Sequence, residues 1–347
     1  VLDDSQTIAG EENAGADELE FVVEAHHAGV RLDRFLQEVT GVSRSQVQLA
    51  IREGRVLLEG VTAAKTGVSL KAGMEILYTP ARSLDMALTA QDLGLEFLYT
   101  DQHMAVVNKA SGVVVHPAPG HWDSTVVNGL LHCFPELAAS GERPGIVHRL
   151  DVGTSGVLLV GRSQEGREGL MAQFLAKRVF KGYLAVVCGV PGADWGTIDR
   201  PISRHPADRK RYSSTQGQGR DAVTLWRRLA SNSRYSLLAV RILTGRTHQI
   251  RVHLGDSGWP VAADPIYGKA REPLWGRLPE SVFGPGPLLH AACIALEHPV
   301  TRKPVEFTAP LPQRWLELLE QEFPAWQARL ASGEALGPLF PSWAGSV

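Results

Sequence analysis

Apolar positions along this chain recur at helical spacing in some stretches and in unbroken runs in others, and each pattern predicts an element. Residues 1–20 hold few large apolar side chains and read as a disordered acidic tail. Phe21-Val22-Val23-Glu24 begins order. From Arg31 to Leu36 the apolar groups have helical spacing. Ser43 stands as an N-cap, with Val47, Ala50 and Ile51 on one face and Gly54 as the stop. Arg55-Val56-Leu57-Leu58-Glu59-Gly60 predicts a short strand ending in a turn. These pieces form a module over 21–80, followed by a polar linker, 81–91, and a larger region, 92–330. There Met104–Asn108 predicts a strand and Lys109–Gly112 a turn. Ser124 or Thr125 caps a helix carrying Val127, Leu130 and Leu131. Val157-Leu158-Leu159-Val160 predicts a buried strand, and Leu170, Met171, Phe174 and Leu175 predict an amphipathic helix whose stripe is assigned to the core. Strands follow at Tyr183–Val187, 222–229 and 235–243, the last two as an antiparallel pair. Thr247 starts a helix bearing Arg251. Residues 312–327 read as a helix with Trp315, Leu316, Leu318 and Leu319, and 331–347 as a loosely packed tail.

The 347 residues are 44% hydrophobic and 21% charged, a globular composition. No apolar run approaches the ~20 residues of a membrane span. Cys133, Cys188 and Cys293 are odd in number and far apart, and no Cys-x-x-Cys occurs. With no signal-peptide pattern at the acidic start, a reducing cytoplasm is the expected location. The net charge of −2 argues against a polyanion partner until its distribution is considered. Residues 1–20 carry seven acids and no Lys or Arg, whereas 140–260 hold 19 Lys plus Arg against 9 Asp plus Glu. A locally basic face binds phosphates whatever the overall balance. Lys177-Arg178-Val179-Phe180-Lys181-Gly182-Tyr183 interleaves cations with aromatics, as phosphate contact and base stacking require. Equally, cations suit a helix C-terminus. Residues 199–220 are polar and basic and read as a mobile loop near the substrate.

One stretch concentrates chemistry: Gly145-Ile146-Val147-His148-Arg149-Leu150-Asp151-Val152-Gly153-Thr154-Ser155-Gly156. A β-branched approach runs into charge, and glycines frame a turn just after the acid. Asp151 is placed on a loop braced by interior strands, where a carboxylate needs a cation or donors to stay ionised. The bland reading is a turn or helix-cap aspartate. A kinase catalytic loop is excluded by Leu150 and Gly156, and a nucleophile elbow by the missing spacer in Gly153-Thr154-Ser155-Gly156. His148 has no neighbour at metal-ligand spacing. His248 and His253 read as structural hydrogen-bonders.

Residue for residue, His148-Arg149-Leu150-Asp151 followed by Thr154-Ser155-Gly156 resembles the signature of the RluA-type pseudouridine synthases. Further ordered pieces resemble the same family: Val106-Val107-Asn108-Lys109 with Val115-His116-Pro117, Lys181-Gly182-Tyr183-Leu184-Ala185, Thr244-Gly245-Arg246-Thr247-His248-Gln249-Ile250-Arg251-Val252-His253-Leu254, Asp264-Pro265-Ile266-Tyr267-Gly268, and Leu289-His290-Ala291 with His298-Pro299. The resemblance spans roughly 90–312. The N-terminal module resembles the S4 RNA-binding domain, although Leu58-Glu59-Gly60 departs from its usual Val-Asn-Gly.

The resemblance implies an α+β fold, a mixed and mostly antiparallel sheet with flanking helices behind a small S4-like module. It implies isomerisation of RNA uridines to pseudouridine after base flipping, with no metal or cofactor. Asp151 would be the nucleophile or a C2′-directed base, Arg251 its ion-pair partner, and Tyr183 the ring that stacks on uracil and assists loss of its C5 proton. Arg149 would fill the space left by the flipped nucleotide. His148, Asn108, Lys109, Arg246 and Lys181 would bind substrate, and Arg31, Arg34, Arg44 and Arg52 would contact RNA from the S4-like module. The likeness is greatest to the S4-bearing RluD-like branch. That implies large-subunit ribosomal RNA, or a pre-ribosomal particle, as partner of a monomer. A catalytically silent RNA-binding factor and a nucleoside or glycoside hydrolase are the competing classes.

Overall fold

The structure, a computed structural model, describes residues 18–79, 88–117, 123–140, 143–208, 211–268, 280–282, 284–331 and 336–340. Most of the expected acidic tail and of the 81–91 linker lies outside these. Two compact units meet in sequence between Ala87 and Leu88. The second starts earlier than residue 92, because Gln91 N donates to Asn128 O and Asn128 Nδ2 donates to Thr89 O, each at 2.9–3.0 Å.

The first unit is a four-stranded sheet with two helices. Its strands are β1 (Leu19–Val22), β2 (Val56–Leu58), β3 (Val61–Thr62) and β4 (Glu75–Tyr78), ordered β1-β4-β2-β3. Helix α1 (Leu32–Thr40) ends at Gly41, whose φ of 68° is the left-handed C-cap conformation. Helix α2 (Arg44–Arg52) starts at Ser43 with a capping box to Gln46. Leu32, Phe35, Leu36, Val47, Ala50 and Ile51 bury one face of both helices. Glu59 (φ 53°) and Gly60 (φ 73°) form the β2–β3 turn, a conformation that asparagine adopts more readily than glutamate. Glu59 Oε1 is occupied by the Glu75 amide at 2.8 Å.

The second unit is built on β5 (Phe97–Thr100), β6 (Met104–Lys109), β7 (Ser155–Gly161), β8 (Phe180–Cys188) and β9 (Trp195–Asp199). The short hairpin β10 (Ser203–Arg204) and β11 (Tyr212–Ser213) follows, then β12 (Val223–Ser231), β13 (Tyr235–Ile242), β14 (Leu289–Glu297) and β15 (Pro304–Thr308). The large sheet runs β5-β6-β7-β14-β8-β13-β12-β9, with β15 paired to β14. Among the described residues, the β7–β14 pairing is the one parallel pairing in it. Side chains alternate between two cores. Val107, Leu158, Ala185 and Val240 face one side with α3 (Val126–Cys133). Met104, Val106, Val157 and Leu159 face the other, with Leu170 of α4 (Gln164–Leu175). On that second side Leu184, Val186 and Leu237 lie under Trp315, Leu318 and Leu319 of α6 (Gln313–Glu322), which precedes α7 (Pro324–Ala331). Helix α5 (Gln249–Asp256) packs Ile250 and Leu254 into the first core. Burial on both faces is why the central strands read as unbroken apolar runs.

Three expectations need correction. In α4, Leu170 is buried, but Met171 is 48% and Leu175 87% exposed. Residues 171 and 175 lie about 100° round the helix from 170 and 174, beyond the face that the sheet covers. Leu336, Leu339 and Phe340 are buried in the α6-side core, so this part of the expected loose tail is packed. The 199–220 segment carries the β10–β11 hairpin, tied down by Asp256, whose Oδ2 accepts from Ser214 N at 2.7 Å and from Ser214 Oγ at 2.9 Å.

Candidate active site

Asp151 sits on the turn before β7, and Thr154 N closes that turn on Asp151 O at 3.0 Å. Gly156, at φ +111°, lets β7 approach β14, where a Cβ would lie 2.1 Å from Ala291 O. Beside it Ser155 Oγ and His290 Nδ1 share a buried hydrogen bond of 2.9 Å. The glycine, the serine and the Leu289-His290-Ala291 piece thus fix where the Asp151 turn leaves the sheet.

The other side of that turn is held by residues 109–113. Lys109 is 1% exposed, and its Nζ donates to the carbonyls of Ala110 (2.9 Å), Val113 (2.7 Å) and Val152 (3.1 Å). Ser111 Oγ donates to Gly153 O at 2.7 Å and Gly112 N to Val152 O at 2.8 Å. Burial brings the Lys109 ammonium down to about 7, opposed by the charge of Asp151. Lys109 is therefore a brace inside the protein and not a substrate contact. Asn108 is likewise turned away, donating to Glu96 Oε2 at 2.8 Å. Lys109→Met would leave buried carbonyls unpaired and is expected to lower stability by about 2–4 kcal/mol. Urea unfolding measures this, and an unchanged midpoint would count against the brace.

Arg251, 4% exposed on α5, reaches two carboxylates. Its Nη1 donates to Asp151 Oδ2 at 3.2 Å. Its Nε and Nη2 donate to Asp264 Oδ2 and Oδ1 at 2.7 and 2.9 Å. The guanidinium fork thus grips Asp264, and Asp151 takes a single bond, whereas the sequence points to Asp151 alone. Asp264 Oδ1 also accepts from Ile266 N and Tyr267 N at 2.9 and 3.1 Å. Burial alone would lower Arg251, but the hydrogen bonds and charge of Asp264, then those of Asp151, hold it above its ordinary value. Tyr267 stacks its ring 5.2 Å from the guanidinium carbon.

Asp151 and Tyr183 open onto a cleft of about 570 Å³ with Arg149, Lys181, Arg246 and Arg220 on its walls. Tyr183 is 8% exposed on β8, where its backbone pairs with β13, and its hydroxyl has no hydrogen-bond partner among the described residues. Burial, then Asp151, pushes its phenol up, so it rests protonated. Arg149 is exposed at the cleft. His148 lines the same cleft, yet its Nε2 accepts from Leu159 N at 2.8 Å and its ring stacks on Phe174 at 4.8 Å. Burial, with Lys181 nearby, takes His148 down to about 3. It stays neutral and steadies the loop, so its expected substrate role shrinks to a wall. Arg246 Nε donates to Asp221 O at 2.9 Å.

Burial, then Arg241, Arg246 and Lys177, brings Lys181 down to about 8. It is charged below that pH and neutral above it. RNA affinity at fixed salt is expected to fall as pH rises through about 8, as one phosphate-neutralising charge is lost. Lys181→Met should flatten that step in binding titrations. An unchanged pH profile would remove Lys181 from the RNA contacts.

In the first unit, Asp33 is fully buried and Arg31 and Arg44 close on it. Arg31 Nε bonds Oδ1 at 3.1 Å, Arg44 Nη2 bonds Oδ2 at 3.0 Å, and Gln48 Nε2 bonds Oδ2 at 2.9 Å. Burial opposes the charge on Asp33, but these donors keep its carboxyl well below the usual range. Arg31 and Arg44 are thus clamps first, although their side chains stay 51% exposed. Arg34 is exposed, and Arg52 bonds Gln48 O at 3.2 Å. Sequence reasoning missed Asp33, Asp264, Tyr267 and the exposed Leu175 on the cleft rim. Asp264 and Tyr267 lay in a quoted motif piece without a role.

Among the described residues, no cluster of three His, Cys, Asp or Glu is placed to hold a metal, and no helix is long and apolar enough to cross a membrane. A carboxylate held by a buried arginine at a cleft walled by Arg149, Lys181, Arg246 and Arg220 suits an enzyme whose substrate carries phosphates. Comparison sharpens the class. Residues 103–256 match the family described as RNA pseudouridylate synthase, and residues 30–76 match the S4 domain. An uncharacterized RNA pseudouridine synthase of Bacillus subtilis is 40% identical over 293 residues, covering 84% of this chain and 93% of that protein. A protein of Xanthomonas campestris named ribosomal large subunit pseudouridine synthase D is 38% identical over 309 residues, covering 87% and 92%. The solved human RNA pseudouridylate synthase domain containing 1 superposes with a TM-score of 0.51 at 28% identity, covering 63% of this chain and 84% of that one. The chain belongs to the RNA pseudouridine synthase family and is an RNA-binding isomerase.

Proposed function

We propose that this enzyme converts particular uridines of large-subunit ribosomal RNA to pseudouridine, with Asp151 as the catalytic carboxylate. The observation that carries the assignment is the Asp151 side chain, with Oδ2 held by Arg251 and no protein partner on Oδ1 among the described residues, facing the cleft beside Tyr183. A uridine stacked in RNA hides its glycosidic bond, so the nucleotide must swing out, at a cost of a few kcal/mol. The exposed Arg149 is placed to occupy the gap. Tyr183 stacks on the uracil and offers a phenol O–H. A tyrosinate base would have to form within the reaction, since the resting phenol is protonated. Asp151 acts at C1′ or at the C2′ hydrogen while the N1–C1′ bond breaks. The uracil turns and C5 bonds to C1′ as the Asp151–C1′ bond breaks or, on the other route, as the proton taken from C2′ returns to it; the C5 proton then leaves and N1 gains one. Atoms balance without water.

A hydrolase would need a second carboxylate to activate water. The fold does bring Asp264 close, but it is fully buried and its oxygens are taken by Arg251 and backbone amides. It cannot serve as that base. The S4 unit supplies RNA affinity through the exposed Arg31, Arg34, Arg44 and Arg52, and the cytoplasm, where ribosomal RNA is assembled, is the working location. The ribosomal assignment rests on the names of the synthase D relatives. Pseudouridine mapping of ribosomal and transfer RNA from a strain lacking the protein tests it. Loss of large-subunit sites is expected, and loss confined to transfer RNA would refute it.

A further inference from the structure

His248 is a left-handed residue at the N-cap of α5, with φ 56° and ψ 20°, a conformation uncommon outside glycine but one that asparagine, aspartate and histidine adopt more often than other residues. Its ring lines the cleft together with Asp151 and Tyr183. Behind the ring, Nδ1 lies 2.9 Å from the Tyr267 hydroxyl. That hydroxyl already accepts from Tyr212 N at 3.0 Å. A buried phenol keeps one proton to donate, and among the described residues Nδ1 is the acceptor within its reach. The chain of bonds therefore runs Tyr212 N–H to Tyr267 O–H to His248 Nδ1. Nδ1 is an acceptor, so the imidazole proton resides on Nε2. Nε2 has no protein partner among the described residues, and it is the nitrogen left for the cleft.

We propose that His248 is a substrate-holding donor, its tautomer set from behind by Tyr267, with Nε2–H taking an acceptor oxygen of the flipped uridine. Burial lowers His248 below its ordinary value, among the opposed charges of Asp151, Arg251, Asp264 and Arg149, so the neutral ring is the working form. The acceptor is a uracil carbonyl or a flanking phosphate oxygen. Strained backbone serves the same end, since it presents the ring at the mouth of α5. Tyr267 is then a positioning residue that serves two partners, stacking on Arg251 and orienting His248. This inference rests on the uridine isomerisation proposed above.

Three variants test it with the full chain and large-subunit ribosomal RNA. His248→Asn tolerates the left-handed backbone and can still accept from Tyr267, but its amide stops short of the Nε2 position. It should slow single-turnover pseudouridine formation on the order of 10- to 100-fold, with RNA affinity within about twofold of wild type. His248→Gln reaches the Nε2 position and should recover most of that loss. Tyr267→Phe keeps the ring beneath Arg251 and should slow the reaction several-fold. Nitrogen-15 NMR of the histidine rings, with His248 assigned by its disappearance in His248→Gln, should show protonated Nε2 and bare Nδ1 in wild type and a tautomer mixture in Tyr267→Phe. Substrates carrying 4-thiouridine or a phosphorothioate at the target locate the acceptor. The one His248 meets should lose its effect in His248→Asn. A protonated Nδ1 in wild type, or His248→Asn within twofold of the wild-type rate, overturns the proposal. Wild-type enzyme that forms no pseudouridine would instead sink the functional reading, and the NMR result still decides the tautomer.

Discussion

Asp151→Asn is expected to bind RNA as wild type does and to form no measurable pseudouridine. The amide fills the same space and still offers an oxygen to Arg251 Nη1, now at 3.2 Å from Oδ2. What it lacks is negative charge and nucleophilic or basic capacity at the other oxygen. The loss should be on the order of 10,000-fold or more in the single-turnover rate. Because Arg149, Lys181 and Arg246 are untouched, affinity should stay within a few-fold. A rate within tenfold of wild type would remove Asp151 from the chemistry.

Arg251→Met is expected to damage both fold and rate. Asp264 would keep its two backbone donors but lose its cation at full burial. Removing one partner of a buried pair costs about 3–5 kcal/mol, so the unfolding midpoint should drop markedly. The Asp151 carboxylate would lose its only protein donor among the described residues, with a rate loss on the order of 100- to 1,000-fold at saturating RNA. Asp264→Asn separates the two effects. It leaves the Asp151 contact in place but sets an amide N–H against the guanidinium, so Arg251 loses its anchor. Its rate should fall on the order of 10- to 100-fold with RNA affinity unchanged. If Arg251→Met weakens RNA binding and keeps its rate at saturation, Arg251 is a phosphate contact and the pairing is wrong. Arg251→Lys should rescue little, because one ammonium cannot span both carboxylates as the fork does.

The sequence made the strands legible where apolar runs were long, as at Val157–Val160, and the helix starts legible where a cap was local, as at Ser43. It misjudged features set by neighbours far along the chain. Asp264 lies 113 residues beyond Asp151, and only the fold brings both to one guanidinium. Lys109 and Asn108 stand in a recognisable motif piece, yet strand geometry sends the lysine inward to the Val152 carbonyl and the asparagine to Glu96. Motif membership says that a residue matters to the site, not which way its side chain points. Met171 and Leu175 kept helical spacing with the core, but helical spacing does not state how wide a face the sheet covers. The pairing of Arg31 and Arg44 with Asp33 was not legible, because in pattern Asp33 looks like an ordinary helix-start acid and only the fold buries it between them.

Isomerisation is the central claim, and the fate of the base tests it most directly. Large-subunit ribosomal RNA labelled with tritium at uracil C5 would be incubated with purified enzyme, following tritium released to water and uracil released from the chain. One tritium is expected to be lost for each pseudouridine formed, with no free uracil, and Asp151→Asn is expected to release no tritium and form no pseudouridine. Free uracil accompanied by abasic sites, or wild-type RNA that keeps all its tritium, would contradict it.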